Sequence, residues 1–140
     1  MNKFGLIGYP LGHSFSKNFF NEKFNSENIN AEYVNFEIPT IDELPNILLS
    51  NPDLMGLNVT IPYKERVIPY LDFISDEAKT IGAVNTIVNK NGVLYGYNTD
   101  FYGMKTLIEK ADIEIKNKTV AILGSGGTSK TANAVVNSLG

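Results

Sequence analysis

Short apolar runs alternate with segments of helical periodicity along most of this chain. The runs cover residues 3–8, 32–38 and 54–61, which is the length of a buried strand in each case. Between the last two, the apolar residues from Leu44 to Leu48 follow the spacing of one helix face. Strands that alternate with helices build a parallel sheet, because each crossover uses a helix to bring the chain back. The pattern predicts an α/β fold.

One pair of segments departs from this alternation. Residues 83–89 and 93–98 are both strand-like, and only a few residues separate them, including Asn91-Gly92. Asn-Gly reaches positive φ easily and is typical of a tight hairpin turn. We therefore expect an open, mostly parallel sheet that is flanked by helices and contains one antiparallel hairpin.

Local signals also predict where two helices begin. Thr40 and Glu43 have the spacing of a capping box, which places a helix start there. Thr99 or Asp100 is expected to cap a later helix, whose apolar face runs from Phe101 through Leu107 to Ala111.

Composition excludes several classes of protein. The 140 residues carry a net charge of −3, so no basic surface is expected to attract nucleic acid. The chain has no Cys and one His, which excludes disulfides, a cysteine nucleophile and a zinc cluster, and we expect no metal site. The N-terminus has no secretory signal and no segment is apolar for about 20 residues. A cytoplasmic protein without membrane contacts is expected.

A glycine-rich turn lies near the C-terminus, between a predicted strand at 119–123 and a predicted helix that ends near Leu139. The turn comprises Gly124, Ser125, Gly126, Gly127 and Thr128. Strand, glycine turn and helix in this order are typical of dinucleotide binding, because backbone amides at the helix N-terminus can hold a pyrophosphate. Ser129 stands where the pattern usually has Gly or Ala. The alternative is a glycine-rich β-α turn without a ligand.

Polar side chains occur where predicted strands end. Asn58 and Thr60 share one face of their strand, and Lys64 follows shortly after. Burial of Asn and Thr costs free energy unless they form hydrogen bonds, so at this edge they could instead contact a polyhydroxylated substrate. Lys64 would then overhang the same crevice. The alternative for Lys64 is an ordinary solvated surface lysine.

Three further residues have both a structural and a functional interpretation. Ser14 and Ser16 could cap the helix that contains Phe20 and Phe24, or their hydroxyls could bind a carboxylate. Asp100 could likewise be a helix cap or a site residue. A catalytic role for His13 is the less favoured interpretation.

Five motifs occur in register, and together the sequence resembles the shikimate dehydrogenase family. The matching stretches are Gly8–Ser16, Asn58–Lys64, Gly82–Thr86, Gly96–Asp100 and Leu123–Gly127. The resemblance implies NADP-dependent, reversible reduction of 3-dehydroshikimate to shikimate, on the pathway to the aromatic amino acids. It also implies that the small-molecule substrate is bound by residues 1–102. Residues 103–140 would be a linker helix and the truncated start of an NADP-binding Rossmann domain.

The resemblance also implies a role for each matched residue. Lys64 and Asp100 would be the catalytic pair, and Ser14 and Ser16 would hold the substrate carboxylate. Thr60, Asn85 and Asp100 would hold hydroxyls and the reacting oxygen. The cofactor would lie on Gly124, Ser125, Gly126, Gly127 and Thr128.

Other functions remain open at this point. A quinate/shikimate dehydrogenase is the nearest alternative enzyme, and a non-catalytic shikimate-binding module or a purely structural domain are the others. The residues that select between NAD and NADP would lie beyond Gly140. Residues 116–140 are expected to expose an unpaired strand edge and an apolar helix face around Val135. Such a segment would be mobile or would self-associate with a neighbouring chain.

Overall fold

A six-stranded sheet forms the frame of the molecule. The computed structural model describes residues 1–140. The strands are β1 (Asn2–Gly8), β2 (Ala31–Glu37), β3 (Leu54–Val59), β4 (Phe73–Ile74), β5 (Thr86–Lys90) and β6 (Val93–Tyr97). They lie in the order β2-β1-β3-β5-β6-β4. Only β5 runs antiparallel to its neighbours, so the predicted α/β fold with one antiparallel hairpin is confirmed.

Five α-helices and two short 3₁₀ turns connect and flank these strands. The helices are α1 (Ser16–Ser26), α2 (Leu44–Ser50), α3 (Asp76–Ile81), α4 (Thr99–Lys110) and α5 (Gly127–Leu139), and the 3₁₀ turns are Ile41–Glu43 and Ile68–Tyr70. None of the helices has the length and apolar character needed to cross a bilayer.

The two faces of the sheet are covered differently. The main core lies on the face that carries Ile7, Leu57 and Ile87, where these side chains meet Leu44 of α2 and Tyr63. On the opposite face, a smaller cluster forms around Leu6 and Tyr33, against which the aromatic side chains of α1 pack. Side chains alternate across a strand, so neighbouring residues of β1 contribute to the two clusters in turn.

The hairpin turn has the predicted chemistry. Asn91 and Gly92 have φ values of 54° and 89°, so both central positions of the turn are left-handed. The Gly92 amide donates to Asn89 Oδ1 at 2.9 Å. This turn fixes the pairing of β5 with β6, which runs from Thr86 opposite Tyr97 to Lys90 opposite Val93.

Two predicted element boundaries are wrong. The Thr40 side chain makes no capping bond, because its backbone carbonyl accepts the Glu43 amide and closes a 3₁₀ turn before α2 begins at Leu44. β3 ends at Val59 and not at residue 61, since the Tyr63 amide donates to the Thr60 carbonyl and turns the chain. Ile61 is consequently 74% exposed.

The predictions for α4 also need correction. Asn98, and neither Thr99 nor Asp100, is the N-cap, and its side chain accepts the Phe101 amide at 3.2 Å. The second polar group of Asn98 donates to the Ala83 carbonyl at 3.0 Å, which accounts for the burial of this residue. Leu107 is 71% exposed, so the buried face of α4 is narrower than expected.

The C-terminal segment differs from the prediction in two ways. Residues 119–123 form no strand, because no other strand of the chain pairs with them and their backbone makes no hydrogen bonds within the chain. α5 packs against α3 and α4 of the same chain, and Val135 at its centre is fully buried. The expected exposed apolar helix face is therefore absent, whereas Leu123 is 98% exposed.

Candidate active site

Lys64 and Asp100 form an ion pair at one edge of the sheet. Lys64 Nζ lies 2.7 Å from Asp100 Oδ2, and the two side chains are 21% and 41% exposed. The Lys64 carbonyl accepts the Val84 amide at 2.7 Å, which anchors the turn after β3 to the start of the hairpin. Asp100 does not cap α4, because Asn98 is the N-cap. The Asp100 carboxylate is therefore free to pair with Lys64. A half-buried ammonium and carboxylate can hold and move a proton next to a bound ligand.

Asn85 lies beside this pair with an orientation that its hydrogen bonds define. Its Oδ1 accepts the Thr99 amide at 2.9 Å and the Thr86 hydroxyl at 3.0 Å. Its Nδ2 donates to Thr99 Oγ1 at 2.8 Å. A backbone amide can only donate, so the oxygen of the side chain must face α4. One Nδ2 hydrogen remains for a ligand.

Thr60 is the first residue after β3, and it borders two clefts of the surface. Its amide donates to the Ile7 carbonyl at 3.0 Å, which continues the pairing with β1 for one more residue. One cleft contains Lys64 and the glycine-rich turn, and the other contains Ser14 and Ser16. Thr60 therefore lies between the predicted carboxylate-binding residues and the ion pair.

Neither Ser14 nor Ser16 caps α1. Phe15 occupies the N-cap position, and no side chain makes a capping bond there. Ser14 Oγ is buried and has no hydrogen-bond partner in the chain. The loop that carries it is held in place by Glu37, whose Oε2 accepts the Leu11 amide at 2.7 Å. An unpaired buried hydroxyl costs free energy, and this one lies at a residue that lines a cleft, so it is free to bind a ligand there.

The glycine-rich turn faces Lys64 across a cleft of about 870 Å³. Gly124, Gly126, Gly127 and Thr128 line this cleft together with Thr60 and Lys64. A Cβ atom on Gly127 would lie 3.8 Å from the Lys64 side chain. Lys130 of α5 pairs with Glu65 at 2.9 Å and ties the two sides together. Ser125 is an exposed member of the turn and does not line the cleft.

The turn has the properties that a dinucleotide pyrophosphate needs. Gly126 is the N-cap of α5, and the amides of Gly127 and Thr128 donate to no other atom of the chain. Gly124 has a φ of 131°, which side-chain-bearing residues rarely adopt. Ser129 Oγ donates to the Gly126 carbonyl at 2.7 Å, so the serine at this position closes the turn. Free amides at a helix N-terminus fit a pyrophosphate.

His13 lines the cleft that contains Ser14 and Ser16. His13 is exposed on the loop before α1 and makes no ion pair. No group of three or more His, Cys, Asp and Glu side chains is arranged to hold a metal ion.

Sequence reasoning missed Thr99 and Tyr33. Thr99 orients Asn85, and the Tyr33 hydroxyl donates to Asn58 Oδ1 at 2.7 Å. The sequence signal for Thr99 is the run of three polar residues, Asn98, Thr99 and Asp100, directly after a strand. The first of them caps the helix, so the side chains of the next two are free for other contacts. No local signal marked Tyr33, because its partner lies 25 residues away in the sequence.

Comparison with known proteins identifies the family. Residues 6–87 match the profile of the shikimate dehydrogenase substrate-binding domain, which is more than half of the chain. The chain belongs to this family. The match to the shikimate dehydrogenase substrate-binding domain includes Ser14, Ser16, Thr60, Lys64 and Asn85, whereas Asp100 and the glycine-rich turn lie outside it.

Curated relatives extend the similarity beyond the shikimate dehydrogenase substrate-binding domain. The chain is 46% identical over 132 residues to the NADP(+) shikimate dehydrogenase of Clostridium beijerinckii, covering 93% of the chain and 48% of the relative. It is 47% identical over 133 residues to the enzyme of the same name from Clostridium perfringens, covering 94% and 49%. The chain thus spans about half the length of the curated relatives it matches.

Solved structures from the shikimate dehydrogenases share the fold. The crystal structure of shikimate dehydrogenase 1 from Peptoclostridium difficile superposes with a TM-score of 0.88 at 44% identity, over 100% of this chain and 52% of that one. The shikimate 5-dehydrogenase of Thermus thermophilus, solved in complex with NADP(H) and shikimate, superposes at 0.86 with 31% identity, over 100% and 53%.

Proposed function

We propose that this chain is the substrate-binding half of an NADP-dependent shikimate dehydrogenase, with the first part of its nucleotide-binding half. Residues 1–102 bind shikimate or 3-dehydroshikimate, and residues 103–140 are the linker helix and the start of the Rossmann domain. The observation that carries the proposal is the Lys64–Asp100 ion pair, whose lysine lines the same cleft as the glycine-rich turn. Relatives of the same name and fold support it.

Lys64 is the proton donor for carbonyl reduction. NADPH, when bound, supplies the hydride for the carbonyl carbon of 3-dehydroshikimate. Negative charge then develops on the carbonyl oxygen, and the Lys64 ammonium stabilises that charge and transfers one proton to it. The product alcohol therefore gains its O–H hydrogen from Lys64, which recovers a proton from solvent. In the reverse direction the neutral amine accepts the proton of the alcohol.

Asp100 orients Lys64 and contacts the substrate. Its carboxylate holds the ammonium at 2.7 Å, which limits the rotamers of a long and otherwise flexible side chain. Asp100 remains 41% exposed, so its second oxygen can accept a hydrogen bond from a substrate hydroxyl. A module that only binds shikimate has no need of an ammonium held in this way, and the ion pair therefore favours an enzyme.

The other substrate contacts follow from the donors that the chain leaves free. Ser14 and Ser16 bind the carboxylate, for which the unpaired Ser14 hydroxyl is a suitable donor. Thr60 and Asn85 bind ring oxygens between the serines and the ion pair. The turn formed by Gly124, Ser125, Gly126, Gly127 and Thr128 holds the NADP pyrophosphate. A cytoplasmic location and self-association through the C-terminal segment stay predictions, which cell fractionation and sedimentation would check.

Replacement of Lys64 by Met in the full-length protein tests the proposal. We expect kcat to fall by roughly 10²–10⁴-fold, the usual contribution of a general acid, with a much smaller change in KM. Lys79→Met, which removes an exposed lysine of α3, is the matched control and should leave both constants unchanged. Turnover of shikimate by Lys64→Met within about threefold of wild type would contradict the role of Lys64 as an acid.

A further inference from the structure

The Tyr33 side chain is held firmly between the sheet and α1. Its side chain is almost fully buried, and its ring stacks on Phe20 of α1 with a centroid distance of 4.8 Å and an angle of 18° between the ring planes. Its backbone is fixed by Asn21, which accepts the Tyr33 amide and donates to the Tyr33 carbonyl, both at 2.9 Å. The phenol oxygen therefore has one defined position.

From that position the Tyr33 hydroxyl donates to Asn58 Oδ1 at 2.7 Å. This hydrogen bond uses the oxygen of the Asn58 side-chain amide. The Nδ2 group of Asn58 donates to no atom of the chain. Asn58 stands opposite Thr86 in the sheet, and the Thr86 hydroxyl donates to Asn85. Asn58 thus adjoins the group of residues that surrounds the ion pair, with its Nδ2 hydrogens free for a ligand.

The Tyr33 hydroxyl is a donor throughout the physiological pH range. Burial raises the pKa of Tyr33 to about 12, and the Ser16 side chain, which can donate a hydrogen bond to the phenolate, acts in the opposite direction. Tyr33 lies between Phe20 of α1, on which its ring stacks, and Asn58, to which its hydroxyl donates.

We propose that Tyr33 is a positioning residue for substrate binding. By donating to Oδ1, it prevents the Asn58 amide from turning over, so that Asn58 presents only donors to the ligand. A donor-only amide suits the oxygen acceptors of a hydroxylated carboxylate such as shikimate. The inference rests on the proposed function, because shikimate is the ligand that it concerns.

Calorimetric titration of the chain with shikimate tests this role. Tyr33→Phe keeps the stacked ring and removes the hydroxyl, and we expect about tenfold weaker binding, the equivalent of one lost hydrogen bond. Introduced into Asn58→Ala, the same change should alter affinity by less than about twofold, because its effect passes through Asn58. Tyr70→Phe, which removes the hydroxyl that donates to Asp42 elsewhere on the surface, is the matched control and should bind like wild type.

Asn58→Asp provides a second measurement. The aspartate still accepts the Tyr33 hydroxyl but offers the ligand a negative acceptor, so binding should fall by more than about tenfold while the melting temperature changes little. Wild-type affinity in Tyr33→Phe or in Asn58→Asp overturns the inference and leaves the proposed function intact. An equal loss for Tyr33→Phe in both backgrounds also overturns it, since that result indicates a general packing role. Absence of shikimate binding by the wild-type chain overturns the proposed function and this inference together.

Discussion

Ser14 is the residue whose interpretation changes most between sequence and structure. The sequence allowed either a helix cap or a carboxylate ligand. The structure places Phe15 at the cap and leaves Ser14 Oγ buried without a partner. Replacement of this hydroxyl therefore removes no intramolecular hydrogen bond, and any loss must come from the ligand.

Ser14→Ala is expected to weaken shikimate binding by about 1.5–3 kcal/mol, the range for a hydrogen bond to a charged group. Its melting temperature should equal or slightly exceed that of wild type, because an unsatisfied buried hydroxyl is removed. Calorimetric titration and thermal unfolding measure the two quantities. A lower melting temperature with unchanged affinity would restore the capping interpretation.

The residues of the ion pair show what sequence can and cannot predict. Lys64 and Asp100 stand in motifs that resemble those of the family, and their residue types suit proton transfer. Their separation of 2.7 Å is a tertiary property, since the two residues are 36 positions apart in the sequence. It depends on the Val84–Lys64 backbone bond, which produces no local pattern, and on the buried Asn98, whose only local sign is its place between a strand and a helix.

Among the elements, the helices and strands with strong periodicity were predicted correctly, whereas their ends were not. The predicted β3 is two residues too long because Ile61 is apolar. In the structure the turn closed by the Tyr63 amide leaves Ile61 exposed. Residues 119–123 have the composition of a strand but lack a pairing partner. A strand is stabilised by its neighbours, so composition alone could not decide whether it forms.

Asn98 gives the start of α4 its most specific contact. Asn98→Ala removes the N-cap and leaves the buried Ala83 carbonyl without its donor, so we expect a loss of about 1–3 kcal/mol in the free energy of unfolding. Chemical denaturation measures this loss. Ser138→Ala, which deletes a side-chain bond to the backbone at the end of α5, is the control and should cost less than about 1 kcal/mol. An equal cost for both variants would contradict the special role of Asn98.

At the scale of the whole molecule, residues 60–66 line one side of a cleft and residues 122–132 line the other. α5 is held by burial of Val135 and by the Lys130–Glu65 pair, whereas the segment before it lacks backbone partners. This explains why the predicted exposed apolar face is absent even though no second sheet is formed. The sequence predicts a strand, a glycine-rich turn and a helix in this segment. Only the packing of α5 against α3 and α4 shows where the helix lies.

The 140-residue chain alone is expected to bind shikimate and not to oxidise or reduce it. Hydride transfer requires the nicotinamide to be held against the substrate ring, and this chain spans only about half the length of the curated relatives it matches. The measurement is the absorbance of the nicotinamide band after addition of NADPH and 3-dehydroshikimate, with the full-length enzyme as the positive control. Turnover by the purified chain would show that these 140 residues suffice for the reaction.

Because β5 runs antiparallel to its neighbours, the hairpin turn affects the position of a side chain at the far end of that strand. In a parallel sheet only the ends of strands meet at the ligand edge, but here Asn85 reaches it from the beginning of an antiparallel strand. The turn at Asn91-Gly92 lies about 17 Å away, at the opposite end of the five residues of β5. Because a slip of one residue in the pairing would turn each side chain to the other face, this remote turn sets the alignment of Asn85 with Thr99. A dipeptide far from the candidate active site therefore fixes the position of one side chain within it.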